Sequence, residues 1–136
     1  MRASANEAGE VMLRHVAIAA NQPATFAGGS RGVALALASA HIDRSGLQLF
    51  DGSGLSRRNR VAPSTLAEVL HAASERSRTP SLISDLAVSG FTGSLVNRFA
   101  TLPGSRGVGR AKTGTLPGGN PLVAYVINAA GDPILC

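Results

Sequence analysis

At 136 residues the chain has the length of one domain and can enclose one hydrophobic core. Its 44% apolar and 15% charged residues exclude a disordered tail, and with four phenylalanines, one tyrosine and no tryptophan the core has to be alanine, valine and leucine. The net charge of +5 suits an anionic partner such as nucleic acid, cell-wall polymer or a membrane surface. An arginine bias with few acids gives the same figure without one, so charge alone selects no function.

Val11, Leu13, Val16 and Ile18, set among alanines, predict a helix over Asn6 to Ala20. After the break at Pro23 and Gly28-Gly29, an alanine-rich helix is expected over Gly28 to His41, then a short strand over Leu47 to Phe50 with alternating apolar positions. Asp51-Gly52-Ser53-Gly54-Leu55-Ser56 is a glycine-rich polar turn in which Asn59 and Arg60 are expected to cap and solvate the backbone. Pro63-Ser64-Thr65 opens a helix reaching about Arg76, with Leu66, Val69, Leu70 and Ala73 on one face, and a weaker helical stretch covers Pro80 to Val88. Gly90 to Phe99 and Leu102 to Gly109 are irregular, whereas Val108 to Thr113 is extended. Pro121 to Ala129 reads as a strand, Ala130-Gly131-Asp132-Pro133 as a turn, and Ile134-Leu135-Cys136 as the start of a second arm, expected to be poorly paired. The sum is a mixed α and β (α+β) chain, helices first and a sheet edge last. A helix that starts at once and a hairpin arm cut at three residues read as an internal segment of a larger domain.

Few residues are equipped for chemistry. Cys136 is the only cysteine, which excludes an internal disulfide and a cysteine-based metal set. His15, His41 and His71 lack a paired helical spacing, so they read as helix-surface residues and no metal site is expected. Ser53 is flanked by Gly52 and Gly54, but a hydrolase nucleophile elbow needs glycine two positions to either side, where Asp51 and Leu55 stand. Arg57, Arg58 and Arg60 form a tight basic cluster without interleaved aromatic residues or a nucleic-acid motif. Met1 to Glu10 lack the apolar run of a secretory signal, and no stretch approaches the roughly 18 consecutive apolar residues of a membrane span.

Lys112 stands out, because it is the single lysine among 13 lysines and arginines. A lysine is a compact ammonium on a flexible stem with three donors, whereas arginine is a rigid fork, so a site that orients a hydroxyl or holds a carboxylate can need the former. The order Lys112-Thr113-Gly114 excludes a phosphate loop, where lysine follows glycine. Lys-Thr-Gly is instead one element of the penicillin-recognising serine enzymes, together with a Ser-x-x-Lys nucleophile pair and a Ser-x-Asn element. Here Ser4-Ala5-Asn6, Asp51-Gly52-Ser53-Gly54-Leu55-Ser56-Arg57-Arg58-Asn59-Arg60-Val61, Gly90-Phe91-Thr92-Gly93-Ser94-Leu95 and Arg110-Ala111-Lys112-Thr113-Gly114-Thr115-Leu116 follow in order. Through nearly its whole length the chain resembles the class C penicillin-binding proteins, the D-alanyl-D-alanine carboxypeptidases and endopeptidases of bacterial cell-wall metabolism.

The resemblance implies part of a penicillin-binding/β-lactamase-like transpeptidase domain over residues 1–136, with a helical lobe over 1–100 and strands of an antiparallel sheet over 108–136. It implies a serine-type peptidase acting on peptidoglycan stem peptides, or captured by a β-lactam, with no metal or organic cofactor and no nucleic acid. Ser4 would serve a proton relay and Asn6 the substrate amide; Lys112 would support that relay and the carboxylate of the terminal D-alanine. Thr113 would donate its hydroxyl to the same carboxylate, Gly114 would leave room for the peptide, and the Thr115 N–H would form half of an oxyanion hole, where loss of one donor typically costs about 100- to 1,000-fold in rate. Asp51, Ser53 and Ser56 would shape the turn beside the cleft. Two departures stand out: Ala5 replaces a residue that is often polar in such relatives, and the residue three before the only lysine is Gly109, so no Ser-x-x-Lys nucleophile is present. The expectation is an inactive C-terminal piece whose N-terminal part lies elsewhere, extracytoplasmic or periplasmic by family and cytoplasmic if made as it stands. Two alternatives are a non-catalytic module that binds cell-wall peptide or β-lactam, and a small basic nucleic-acid-binding protein.

Overall fold

Glycines explain how the first two helices meet. The computed structural model describes residues 5–75, 80–99, 101–115 and 120–136. They form two units, Ala5–Glu68 and Val69–Cys136. In the first, helix α1 (Asn6–Ala19) packs on helix α2 (Phe26–Ser39). Gly29 and Gly32 sit inside α2, where glycine is worth about 1 kcal/mol less than alanine. A Cβ at Gly29 would lie 2.6 Å from the Leu13 carbonyl oxygen, and one at Gly32 would lie 2.9 Å from that of Val16. The missing side chains let α2 lie directly on the face of α1 that buries Leu13 and Ala17. Helix α2 starts two residues earlier than expected because Thr25 caps it, its hydroxyl accepting from the Gly28 N–H at 3.0 Å.

The strand expected over Leu47 to Phe50 does not form. A single antiparallel bridge joins Gln48 and Arg60, with both backbone bonds at 2.8 Å. The ladder stops there because the next donor, the Phe50 N–H, goes to the Asn59 side-chain oxygen at 2.8 Å. Side chains of the following turn take the bonds a strand would have needed. Helix α3 (Pro63–Glu75) follows as expected, burying Leu70 and Ala73.

In the second unit a five-residue helix α4 (Pro80–Ser84) gives way to strand β1 (Ala87–Val88), so the helical expectation for Pro80 to Val88 is correct only for its first half. Leu86 and Ala87 are each 1% exposed, and β1 pairs Ala87 with Ala111 and Val88 with Arg110, so sheet pairing overrides a weak helical pattern. A 3-10 turn (Gly93–Leu95) follows, then β2 (Gly109–Thr113), β3 (Leu122–Ile127) and β4 (Pro133–Leu135), all antiparallel in the order β1-β2-β3-β4. Ala87, Ala111 and Ala124 are register partners across three strands, a row of small residues in one buried cluster with Leu95.

The last arm is better paired than expected. Beyond the three register pairs of β3 with β4, Cys136 exchanges both backbone bonds with Ala124, at 2.7 and 3.1 Å. Asn128 closes the turn that makes this possible, its side-chain oxygen accepting from the Ala130 and Asp132 N–H groups while Gly131 adopts φ +92.

Candidate active site

Strand β2 ends in the residues with the most useful chemistry. Alternation along it buries Gly109 and Ala111, which leaves Arg110 and Lys112 on the opposite face. The Lys112 ammonium donates one of its three protons to the Thr113 carbonyl at 2.6 Å. The Thr113 and Ser94 hydroxyls share a hydrogen bond of 2.8 Å. Gly114 continues the hairpin past β2, its N–H donating to the Pro121 carbonyl at 2.9 Å. A Cβ on Gly114 would come 2.8 Å from Pro121 Cγ, so the chain's own hairpin asks for glycine at this position. Thr115 is exposed just beyond, and Leu116 lies outside the described residues.

The other expected site residues among those described belong to the first unit. Asn6 is the exposed first residue of α1; Ser4 lies outside the described residues. Asp51 is the hub of its turn: its carboxylate accepts from the Gly54 N–H at 2.9 Å, the Ser56 N–H and the Asn59 amide at 2.7 Å. Ser53 and Ser56 serve the same turn, accepting from the Leu55 and Arg58 N–H groups through their hydroxyls. Arg58 stacks on Phe50 at 3.9 Å from the ring centre, and Arg60 donates to the Arg57 and Asn59 carbonyls, so these cations finish the turn.

Glu10 was not singled out by its sequence context, yet it holds that turn to α1. Its carboxylate accepts from the Gly52 N–H at 3.0 Å and the Ser53 N–H at 3.2 Å. The approach depends on two glycines, since a Cβ at Gly9 would stand 2.7 Å from the Gly52 carbonyl oxygen, and one at Gly52 would overlap the Gly9 backbone. The available signal was its spacing, four residues after Asn6 and therefore on the same helix face.

Both carboxyls are held low. For Glu10 the Ser53 hydroxyl and then the Gly52 N–H lower the pKa from the ordinary 4.5, outweighing partial desolvation and the Asp51 charge. For Asp51 partial burial is the largest single influence and pushes upward, but bonds from Asn59, Ser56, Gly54 and Ser53 together bring it below the ordinary 3.8. Groups lowered in the folded state contribute stability that is complete above their unfolded values and fades as pH falls through the folded ones. Thermal unfolding of the chain is therefore expected to shift to lower temperature as pH drops below 4.5, and the Glu10→Gln, Asp51→Asn double variant should flatten that dependence. An equally steep decline in the double variant would show that other groups control acid stability.

Among the described residues no cluster of histidine, cysteine, aspartate or glutamate could hold a metal ion, and no helix is long and apolar enough to cross a membrane. Helices followed by an antiparallel sheet whose second strand runs into Lys-Thr-Gly-Thr are part of the penicillin-binding fold. The chain aligns with penicillin binding protein 4 (dacB) from Haemophilus influenzae at a TM-score of 0.91 and 31% identity, covering 99% of this chain and 30% of that one. The complex of that protein with a novel β-lactam aligns at a TM-score of 0.90, also at 31% identity, covering 99% and 32%.

The profile of the D-Ala-D-Ala carboxypeptidase 3 (S13) family matches residues 1–135, and the chain belongs to that family. A carboxypeptidase of Mycobacterium tuberculosis is 39% identical over 136 residues, 96% of this chain and 30% of the relative. Carboxypeptidase DacB of Mycolicibacterium smegmatis is 38% identical with the same coverage, and a D-alanyl-D-alanine carboxypeptidase of Actinomadura sp. is 33% identical over 97% of this chain and 25% of its own length. The chain thus spans about a third or less of the curated relatives it matches.

Proposed function

We propose that residues 1–136 are the carboxylate-holding part of a serine-type D-Ala-D-Ala carboxypeptidase of peptidoglycan metabolism, working outside the cytoplasm on stem peptides and open to β-lactams. The observation that carries this reading is the end of β2, where Lys112 and Thr113 are adjacent residues, the ammonium donating to the Thr113 carbonyl and the Thr113 hydroxyl bonded to Ser94. A peptide ending in a free carboxylate can take one charge-assisted bond from Lys112 and one from Thr113. That places its last amide along the strand, with the carbonyl oxygen toward the Thr115 N–H, where negative charge develops during acyl transfer. Asn6 holds the substrate amide and Ser4 passes a proton toward the departing D-alanine amine. Asp51, Ser53 and Ser56 keep their own turn rigid and take no part in bond breaking.

The reaction also needs a nucleophile, and these residues hold no Ser-x-x-Lys pair because Gly109 precedes the only lysine by three positions. A separate stretch of the same domain supplies it in the working enzyme. The isolated 136-residue chain is therefore expected to form no covalent adduct with fluorescent penicillin. A labelled band that survives boiling in detergent on a denaturing gel would overturn that assignment and point to an unrecognised nucleophilic serine.

A further inference from the structure

The bond between Thr113 and Ser94 joins residues 19 positions apart. Neither hydroxyl is buried: Thr113 is half-buried and Ser94 exposed, so water could satisfy both. The rule that buried polar groups must find partners therefore does not account for it. What accounts for it is the seat of Ser94. Leu95, its neighbour in the 3-10 turn, is 1% exposed and belongs to the buried cluster with Ala87, Ala111 and Ala124. The Thr92 hydroxyl accepts from the Val88 N–H at 2.9 Å, and the Phe91 and Thr92 N–H groups both reach the Val88 carbonyl at 3.1 Å. Gly93 supplies φ +56, which lets the chain turn there with little strain. The turn is thus clamped to β1, β1 is paired with β2, and Ser94 meets the hydroxyl of a β2 residue.

Either hydroxyl can donate this bond, since each has one proton and can also accept. If Thr113 gives its proton to Ser94 it has none for a carboxylate, whereas a proton from Ser94 leaves that of Thr113 available. We infer that Ser94 is a positioning residue for the carboxylate site, and that a bound C-terminal carboxylate fixes the direction of the bond between the two hydroxyls. Thr113 then turns its proton to the carboxylate, and Ser94 donates its own to the Thr113 oxygen; each hydroxyl keeps its proton and no covalent bond changes. That arrangement gives the carboxylate a charge-assisted bond and leaves the Thr113 oxygen satisfied. Ser94 thereby favours ligands with a free carboxylate over those whose terminus is an amide. This rests on the carboxylate reading of Lys112 and Thr113.

NMR titration of the chain with N-acetyl-D-Ala-D-Ala and with its C-terminal amide measures that preference directly. Ser94→Ala should reduce the carboxylate-over-amide ratio by about three- to tenfold, the size of one net hydrogen bond, with little change in affinity for the amide. Ser94→Thr, which keeps the hydroxyl, should retain the ratio. A full preference in Ser94→Ala alongside its loss in Lys112→Ala would sink the Ser94 role and leave the carboxylate reading standing. Equal weakening toward both ligands in Ser94→Ala and Ser94→Thr would reduce Ser94 to a structural tie. A wild-type chain that does not distinguish the ligands would remove the carboxylate reading and the Ser94 role with it.

Discussion

Lys112→Ala is expected to lower the affinity of the chain for a D-Ala-D-Ala dipeptide by tenfold or more, the largest effect of any single substitution on binding. A hydrogen bond to a charged group contributes about 1.5–3 kcal/mol net, which corresponds to roughly 10- to 150-fold. The half-buried setting of Lys112 moves the expected value toward the lower figure through solvent screening. The variant loses the ammonium, which donates one of its three protons to the Thr113 carbonyl. Lys112→Arg should recover little, because a planar guanidinium cannot contact the adjacent backbone oxygen and a ligand with the geometry of a compact ammonium. Calorimetric titration at low and high salt provides the check: wild-type affinity should fall with ionic strength, whereas that of Lys112→Ala should be nearly indifferent to it. Affinity in Lys112→Ala within twofold of wild type at low salt would remove lysine from the site.

Leu95→Ala is expected to cost about 2–5 kcal/mol of stability, the range for deleting a fully buried leucine. Leu95 is 1% exposed, and three of its cluster partners are alanines, whose single methyl groups cannot swing in to fill the space. Only the partly buried Phe99, Leu122 and Val126 packed against the cluster can close part of the cavity, which keeps the cost within that range. Thermal unfolding and amide exchange of β2 and β3 would register the loss, whereas Ser94→Ala next to it should leave both within about 0.5 kcal/mol of wild type, as exposed substitutions do. A Leu95→Ala variant as stable as wild type would mean that the alanine row repacks, contrary to the geometry of the sheet.

The neighbouring effects of Ser94 and Leu95 show where local pattern was informative. Helices α1 and α2 and strands β2 and β3 appear at or within two residues of their expected positions, because a 3.6-residue or two-residue apolar period is written along the chain itself. The strand at Leu47 to Phe50 misled because its alternation was present but its backbone donor was claimed by Asn59. Ala87-Val88 misled in the opposite sense, as a two-residue strand has no period to read, and its identity comes from Ala111 and Arg110. The unusual glycines were visible as letters, but their purpose was not. Gly29 and Gly32 bring two helices together, and Gly9 and Gly52 bring a helix and a turn together.

Family membership and the carboxylate-binding candidate could be read from residue order, since Lys112-Thr113-Gly114-Thr115 and the Asp51 to Ser56 turn are contiguous motifs, and a unique lysine is visible by counting. The partners of those motifs could not. Glu10 reaches Gly52 across 42 positions and Ser94 reaches Thr113 across 19, and bonds of that length leave no local trace. They exist because small residues let helix and turn approach in the first unit, and turn and strand in the second, and the polar groups brought into reach then pair. Lys112 and its motif were therefore legible as letters, while the hydroxyl that orients its neighbour became visible only once the chain had folded.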